Sequence, residues 1–247
     1  FVALLVGLGA ADLAFALAIT GHITLSPAVA IRVGLDLVLF IMAVMAGRVV
    51  PMFTNNAIPG ARASRHALIE RVALGSLLVL PLLDLLPDVP APLFVTLLGL
   101  AASAHALRWW RWQPWTTRRT PLVWVLHAAY AWVPVHLLLR AAAAWGWVAP
   151  SLAVHALTVG ALGGLVIGMI TRTARGHTGR PLQADRREVT AYLLVAAATL
   201  ARVAGPVWWP VQHAVLAAAG LWAAAFALYA VAYWPVLSRP RVDGKPG

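Results

Sequence analysis

Eight histidines and no cysteine set the chemistry available to this 247-residue chain. Without a thiol there is no disulfide, no thiolate metal ligand, no iron–sulfur cluster and no covalent CxxCH haem attachment. Imidazole remains, and neutral imidazole is a good axial ligand for haem iron and a good ligand for copper. His136, His155 and His213 share a layer with Arg32, Asp36, Arg140 and Arg202 when each is measured from the end of its apolar run at about 1.5 Å per residue. Guanidinium groups pair with carboxylates in a bidentate way, which suits haem propionates. His155 and His213 each lie five residues beyond a Pro- or Trp-marked end. Two histidines at equal depth on neighbouring antiparallel helices could grip one iron from both faces. Copper would instead want two or three histidines converging from one side. Depth alone makes His155, His213 and His136 candidates for a metal and Arg140 and Arg202 candidates for propionate partners, and it stops at a polar layer without assigning ligands.

The same residues have plainer readings. Arg32 and Asp36 are spaced i,i+4 and can neutralise each other on one helix face. Arg140 and Arg202 can snorkel to headgroups, and a lone buried histidine can simply hydrogen-bond a neighbouring helix. Asp84 and Asp88 flank a turn and read as solvated loop charges, whereas Asp185 and Glu188 lie among arginines and read as loop ion pairs. Gly160, Gly164 and Gly168 repeat every four residues, which suits close helix packing or a flat macrocycle lying on a smooth face. Pro134 is expected to kink its helix near Tyr130. No GxSxG, Walker, HExxH or GxGxxG pattern occurs.

The elements that must hold these residues are membrane helices. Hydrophobic residues make up 62% of the chain and charged residues 11%, with a mean hydropathy of +0.82. A soluble domain carries about a quarter charged residues, so this chain lacks the polar surface to cover a globule in water. Apolar runs of about 20 residues, punctuated by Pro, Gly and charge, predict eight spans near 1–20, 27–50, 66–87, 90–111, 121–147, 150–172, 187–205 and 208–237. No alternating ten-residue pattern suggests a barrel. The expected fold is an all-α polytopic bundle of four antiparallel hairpins, forming one membrane domain over 1–247. The opening at Phe1, without the basic start of a signal peptide, leads us to expect a piece of a longer chain.

Charge placement orients the bundle. The connections 48–65, 108–119 and 172–187 and the tail hold most of the Lys and Arg, and the intervening turns hold none. The positive-inside rule puts the basic loops and both termini in the cytoplasm. The net charge of +11 is then topology with some anionic-lipid contact, and nucleic acid is not needed to explain it. Trp109, Trp110, Trp112, Trp115 and Trp234 are expected at the cytoplasmic interface, and Trp145, Trp147, Trp208 and Trp209 at the outer one.

Four strings, "AGRVVPMFTNNAIPGA" (46–61), "WTTRRTPLVWVLHAAYAWVPVHLLL" (115–139), "HALTVGALGGLVIGMITRTARGHTGRPL" (155–182) and "YWPVLSRPRVDGKPG" (233–247), resemble the NnrS family. The resemblance implies a bacterial inner-membrane protein containing haem and copper and associated with nitric oxide metabolism. It also implies about twelve spans, so this chain resembles the C-terminal two-thirds of such a protein and lacks a "WHxHEMLFG"-type segment. Its motifs carry over to Arg48, Pro51, Phe53 and Thr54, to His155, Gly160 and Gly164, and to Arg172, Gly176, His177, Thr178, Gly179 and Arg180. His127 and His136 fall in the matching 115–139 string, His136 less clearly in the motif. The "GHTGR" turn can offer backbone N–H groups to an anion or brace the "GRVVPMFT" connection, or serve only as a rigid turn. The function expected is haem binding, with copper as a second metal and nitric oxide or a related small molecule as partner. A transporter or channel, or a non-catalytic assembly subunit, are the other readings.

Overall fold

A computed structural model describes residues 2–244. Phe1 and residues 245–247 lie outside the described residues, and with them the predicted placement of the two termini. The helices are α1 (Val2–Ile19), α2 (Pro27–Ala57), α3 (Ala67–Leu85), α4 (Ala91–Arg111), α5 (Pro121–Tyr130), α6 (Trp132–Ala144), α7 (Pro150–His155), α8 (Gly163–His177), α9 (Arg186–Val203), α10 (Gly205–Trp208) and α11 (Val211–Leu237). A short 3₁₀ turn, Pro114–Thr117, precedes α5, and a π-helical segment, Ala156–Leu162, joins α7 to α8. No strand occurs among the described residues.

Among the described residues, six helical stretches are long and apolar enough to cross a membrane: Val2–Ile19, Pro27–Ala57, Ala91–Arg111, Pro121–Ala144, Pro150–His177 and Val211–Leu237. α3 and α9 occupy two further predicted spans and carry more charge. The protein is a multi-pass helical membrane protein. Its α2 runs 31 residues, well past the expected end at residue 50. At 1.5 Å per residue it reaches about 46 Å, longer than a hydrocarbon core of about 30 Å. Pro51 lies inside α2 rather than ending it. Likewise α8 continues to His177, so Arg172 and Arg175 are helical residues rather than loop residues.

The core sits where α2, α4, α5, α6 and α8 meet, around Leu39, Leu98, Leu126, Tyr130, Val133 and Leu137. The glycine stripe is filled by packing. A Cβ at Gly160 would lie 2.6 Å from Trp132, at Gly164 2.6 Å from Ala129, and at Gly168 2.8 Å from Leu126 and Val125. The face considered for a macrocycle is therefore occupied by α5 and α6. Trp112, expected at an interface, is fully buried against Tyr130 with ring centroids 4.6 Å apart. Trp110, Trp115, Trp145, Trp147, Trp208, Trp209 and Trp234 are exposed, as amphipathic rings at a membrane boundary should be.

The basic connections gather at one end. Arg111 donates from Nη2 to Ser64 Oγ at 3.0 Å, and the Arg62 amide donates to Gln113 Oε1 at 2.8 Å. At the C-terminal side, the Val242 amide donates to Thr178 O at 3.1 Å. The opposite end holds the short turns and the charged layer.

Candidate functional site

Charges that enter a membrane must find partners, and at the end opposite the basic loops they form one chain. Arg140 on α6 donates from Nη1 to Asp36 Oδ1 on α2 at 2.7 Å and from Nη2 to Asp84 Oδ2 at the end of α3. Arg32 reaches Asp84 Oδ1 from one helical turn before Asp36, at 3.4 Å. Two carboxylates and two guanidiniums thus alternate as Arg32–Asp84–Arg140–Asp36. Arg32 and Asp36 do not neutralise each other as their spacing allowed, since each turns to a different helix. Nor is Asp84 a solvated loop charge: its side chain is 6% exposed. Arg140 also lies over the Phe94 ring, 5.2 Å from its centroid.

Beside this chain lies a cavity of about 340 Å³, lined by Arg32, Asp36, Arg140, His136 and His155 among apolar side chains such as Ile31 and Leu35. His136 Nδ1 donates to Ala153 O at 2.7 Å, and His155 Nδ1 donates to Ser151 O at 2.6 Å. A carbonyl can only accept, so in both neutral rings the proton is on Nδ1 and the lone pair is on Nε2. Fixing the tautomer through an Nδ1–H···O=C bond is how proteins prepare an imidazole to ligate a metal through Nε2. His136 Nε2 is buried without a hydrogen-bond partner, and so is Asp36 Oδ2. His155 closes α7 where the backbone widens into the π segment, a feature often found at functional positions.

This donor set fits a metal that accepts imidazole nitrogen, such as haem iron or copper. Among the described residues, no group of three or more His, Asp or Glu is arranged to enclose a metal ion by itself. Arg140 fits a propionate less well, because both terminal nitrogens already serve carboxylates. The side chain of Arg32, 42% exposed and on a longer contact, is the cation freer to turn. Of the other sequence candidates, His213 is exposed near the start of α11 and Arg202 is half-buried on α9. Neither lines the cavity.

A second polar network lies toward the basic end, and the sequence reading missed its centre. Arg108, 2% exposed, forms a two-pronged pair with Glu70 at 2.7 Å on both prongs and donates to Ala43 O and the Tyr130 hydroxyl. Tyr130 bonds His105 Nδ1 at 2.6 Å, and His105 Nε2 donates to Ala73 O at 3.1 Å. Gly47 makes room for Arg108, since a Cβ there would sit 1.8 Å from its Nη2. The signal in the sequence was Glu70, a carboxylate inside a predicted span.

His155 apart, which lines the cavity at the other end, the polar resemblance motifs serve this half of the molecule. The Thr54 hydroxyl donates to Val50 O at 2.9 Å and bonds His127 Nε2 at 2.8 Å. Arg172 lies over Phe53, 3.7 Å from the ring centroid. In the "GHTGR" turn, the Thr178, Gly179 and Arg180 amides donate to Ala174, Gly176 and Arg175 carbonyls, with Gly179 at φ +73°. Those amides close the end of α8, so the turn is a helix stop rather than an anion nest. Arg241 of the tail holds it from outside by donating to His177 O at 2.8 Å. Asp185 and Glu188 form the expected ion pairs with Arg175 and also a capping box at the start of α9.

With α2, α8 and the tail so joined, the comparison with protein families is decisive. The family described as NnrS protein matches residues 1–241. The chain belongs to the NnrS family. No curated protein and no solved structure matches it. As an NnrS-family membrane protein, it carries its motif residues on α2, along the run from the end of α7 through the π segment into α8, and in the cap of α8.

Proposed function

We propose that this NnrS-family protein holds a metal cofactor, haem iron or copper, at Nε2 of His136 and His155, and acts in nitric oxide metabolism or the response to nitrosative stress. One observation carries the reading: two imidazoles line one cavity, each with Nδ1 tied to a backbone carbonyl. The bound metal would supply redox chemistry and a coordination position for a small ligand. The chain's own part is to position and to insulate. The Ala153 carbonyl sets the His136 ring, and the Ser151 carbonyl sets His155. The alternating Arg32–Asp84–Arg140–Asp36 chain leaves no net charge beside the rings, and Ile31 and Leu35 keep the wall apolar. In this reading the protein sits in the bacterial inner membrane with its basic loops in the cytoplasm, so the cavity faces the outer leaflet.

Metal analysis and absorption spectra of the full chain, with His136→Ala and His155→Ala alongside, test the proposal. Loss of bound metal in each variant, with folding retained, is the expected result. Undiminished metal in both variants refutes it.

An intramembrane cavity with ion-paired charges also suits a permeation pathway, which is the second reading. The two interrupted spans bear on it. The α5–α6 break keeps the Ala131 amide bonded to His127 O at 3.0 Å, and the segment after α7 remains helical. Neither is the unwound stretch that frees carbonyls in transporter sites. Solute flux in proteoliposomes made from metal-free protein would favour this second reading.

A further inference from the structure

At the basic end, a cavity of about 650 Å³ lies between the end of α2, the start of α5, α8 and the loop before α9. Its walls include Arg172, Arg119, Asn56, Thr120 and Gln183, and no carboxylate. Arg172 is 9% exposed, which makes it a buried cation. Its guanidinium rests on the Phe53 ring and makes no hydrogen bond or ion pair among the described residues. The side chains of Arg119, Asn56 and Gln183 are likewise without hydrogen-bond partners there.

A counter-charge cannot come from the described chain. Of its eight carboxylates, those at this end are engaged elsewhere: Glu70 with Arg108, Asp185 and Glu188 with Arg175, and Asp243 with Arg241. Asp36 and Asp84 are committed at the opposite end, Asp88 lies in a turn there, and Asp12 lies within α1. The Arg172 side chain is largely packed away while its nitrogens open on a polar cavity without a carboxylate, so its charge is only partly solvated and the cation–π contact is its one protein partner among the described residues. The N-terminus of the ten-residue α5, at Pro121, adds its partial positive charge to the same cavity.

We propose that this cavity binds a phosphate-type oxyanion, held by Arg172 from α8 and Arg119 from the approach to α5. Two guanidinium forks and the amide side chains of Asn56 and Gln183 provide donors only from the arginines and both donors and acceptors from the amides, which suits a charged oxygen cluster with a protonated edge. The group can arrive as free phosphate or as the headgroup of an anionic lipid, since both present the same oxygens. The site is distinct from the histidine cavity and independent of any metal there.

The test uses the full chain purified in a non-ionic detergent. Inorganic phosphate is titrated while the melting temperature is followed, and native mass spectrometry is run after exchange into phosphatidylglycerol-containing micelles. Stabilisation by phosphate supports a soluble oxyanion, and retained phosphatidylglycerol without a phosphate response supports a lipid headgroup. Either response must weaken about tenfold or more in Arg172→Gln, the scale of a lost charged hydrogen-bonding group, and several-fold in Arg119→Gln. Arg119 is exposed, so its variant keeps the test valid if Arg172→Gln does not fold. Arg71→Gln, on α3 outside the cavity, should behave as wild type. Absence of both responses in the wild-type protein, or responses unchanged in Arg119→Gln and in folded Arg172→Gln, overturns the proposal.

Discussion

Replacing Arg140 by methionine removes the hub of the charged layer while keeping an unbranched side chain in its place. The substitution strands two carboxylates. Asp36, 2% exposed at its side chain, loses its cation entirely, and Asp84, 6% exposed, keeps only Arg32 at 3.4 Å. Removing one partner of a buried ion pair costs about 3–5 kcal/mol, because the charge left behind has neither water nor a counter-ion. At roughly 2–4 °C per kcal/mol for a chain of this size, the melting temperature should fall by about 6–20 °C. Neutralising the stranded groups as well, in Arg140→Met/Asp36→Asn/Asp84→Asn, should recover most of that loss, since an uncharged replacement of a whole buried cluster is often neutral. Thermal unfolding in one detergent, read by near-ultraviolet circular dichroism, gives both numbers. A single variant that melts with the wild type, or a triple variant less stable than the single one, would refute the reasoning that these charges exist for one another.

Three further outcomes are expected. Gly164→Ala should cost about 1–3 kcal/mol by overpacking α8 on α5, because its Cβ would lie 2.6 Å from Ala129 Cβ. Adding Ala129→Gly should recover part of the loss by removing the clashing methyl, whereas Gly220→Ala, with nothing within 4 Å, should not destabilise; thermal melts separate the three. Tyr130→Phe should cost about 1–3 kcal/mol by leaving His105 Nδ1 and an Arg108 N–H short of a partner, and an unchanged melting temperature would show the hydroxyl to be dispensable. Glu188→Ala should speed amide hydrogen exchange at the start of α9 before it affects α5, since Glu188 closes the capping box and pairs with Arg175 at 2.5 and 2.9 Å. Uniform exchange along the chain would contradict a local role.

Helix content and the gathering of basic loops were legible because they follow from composition and charge placement, which act residue by residue. Helix ends were less so. Pro51 and Arg172 look like punctuation in the sequence, yet α2 and α8 run through them, because packing against α5 and the Phe53–Arg172 contact outweigh local signals. The layer of Asp36, Arg140 and His136 could be found from depth alone. Its partner Asp84 could not, since a carboxylate next to a turn looks solvated until the last turn of α3 is seen to set it against Arg140. Depth also made His213 equivalent to His155, but depth along a helix says nothing of the direction a side chain faces. The π segment after His155 and the inward turn of His136 are tertiary features, and no periodicity in the sequence announces them. Glu70 and Arg108 lie 38 positions apart, so their pairing needed the α3–α4 hairpin to be in register.

The central claim is that His136 and His155 hold a metal through nitrogens left free by backbone hydrogen bonds. It is tested most directly by the iron and copper content and the reduced-minus-oxidised spectrum of the purified full chain, compared with His136→Ala, His155→Ala and His213→Ala. The account predicts a metal-dependent signal that is lost in the first two variants and retained in the third. A signal retained in the first two and lost in His213→Ala would contradict it.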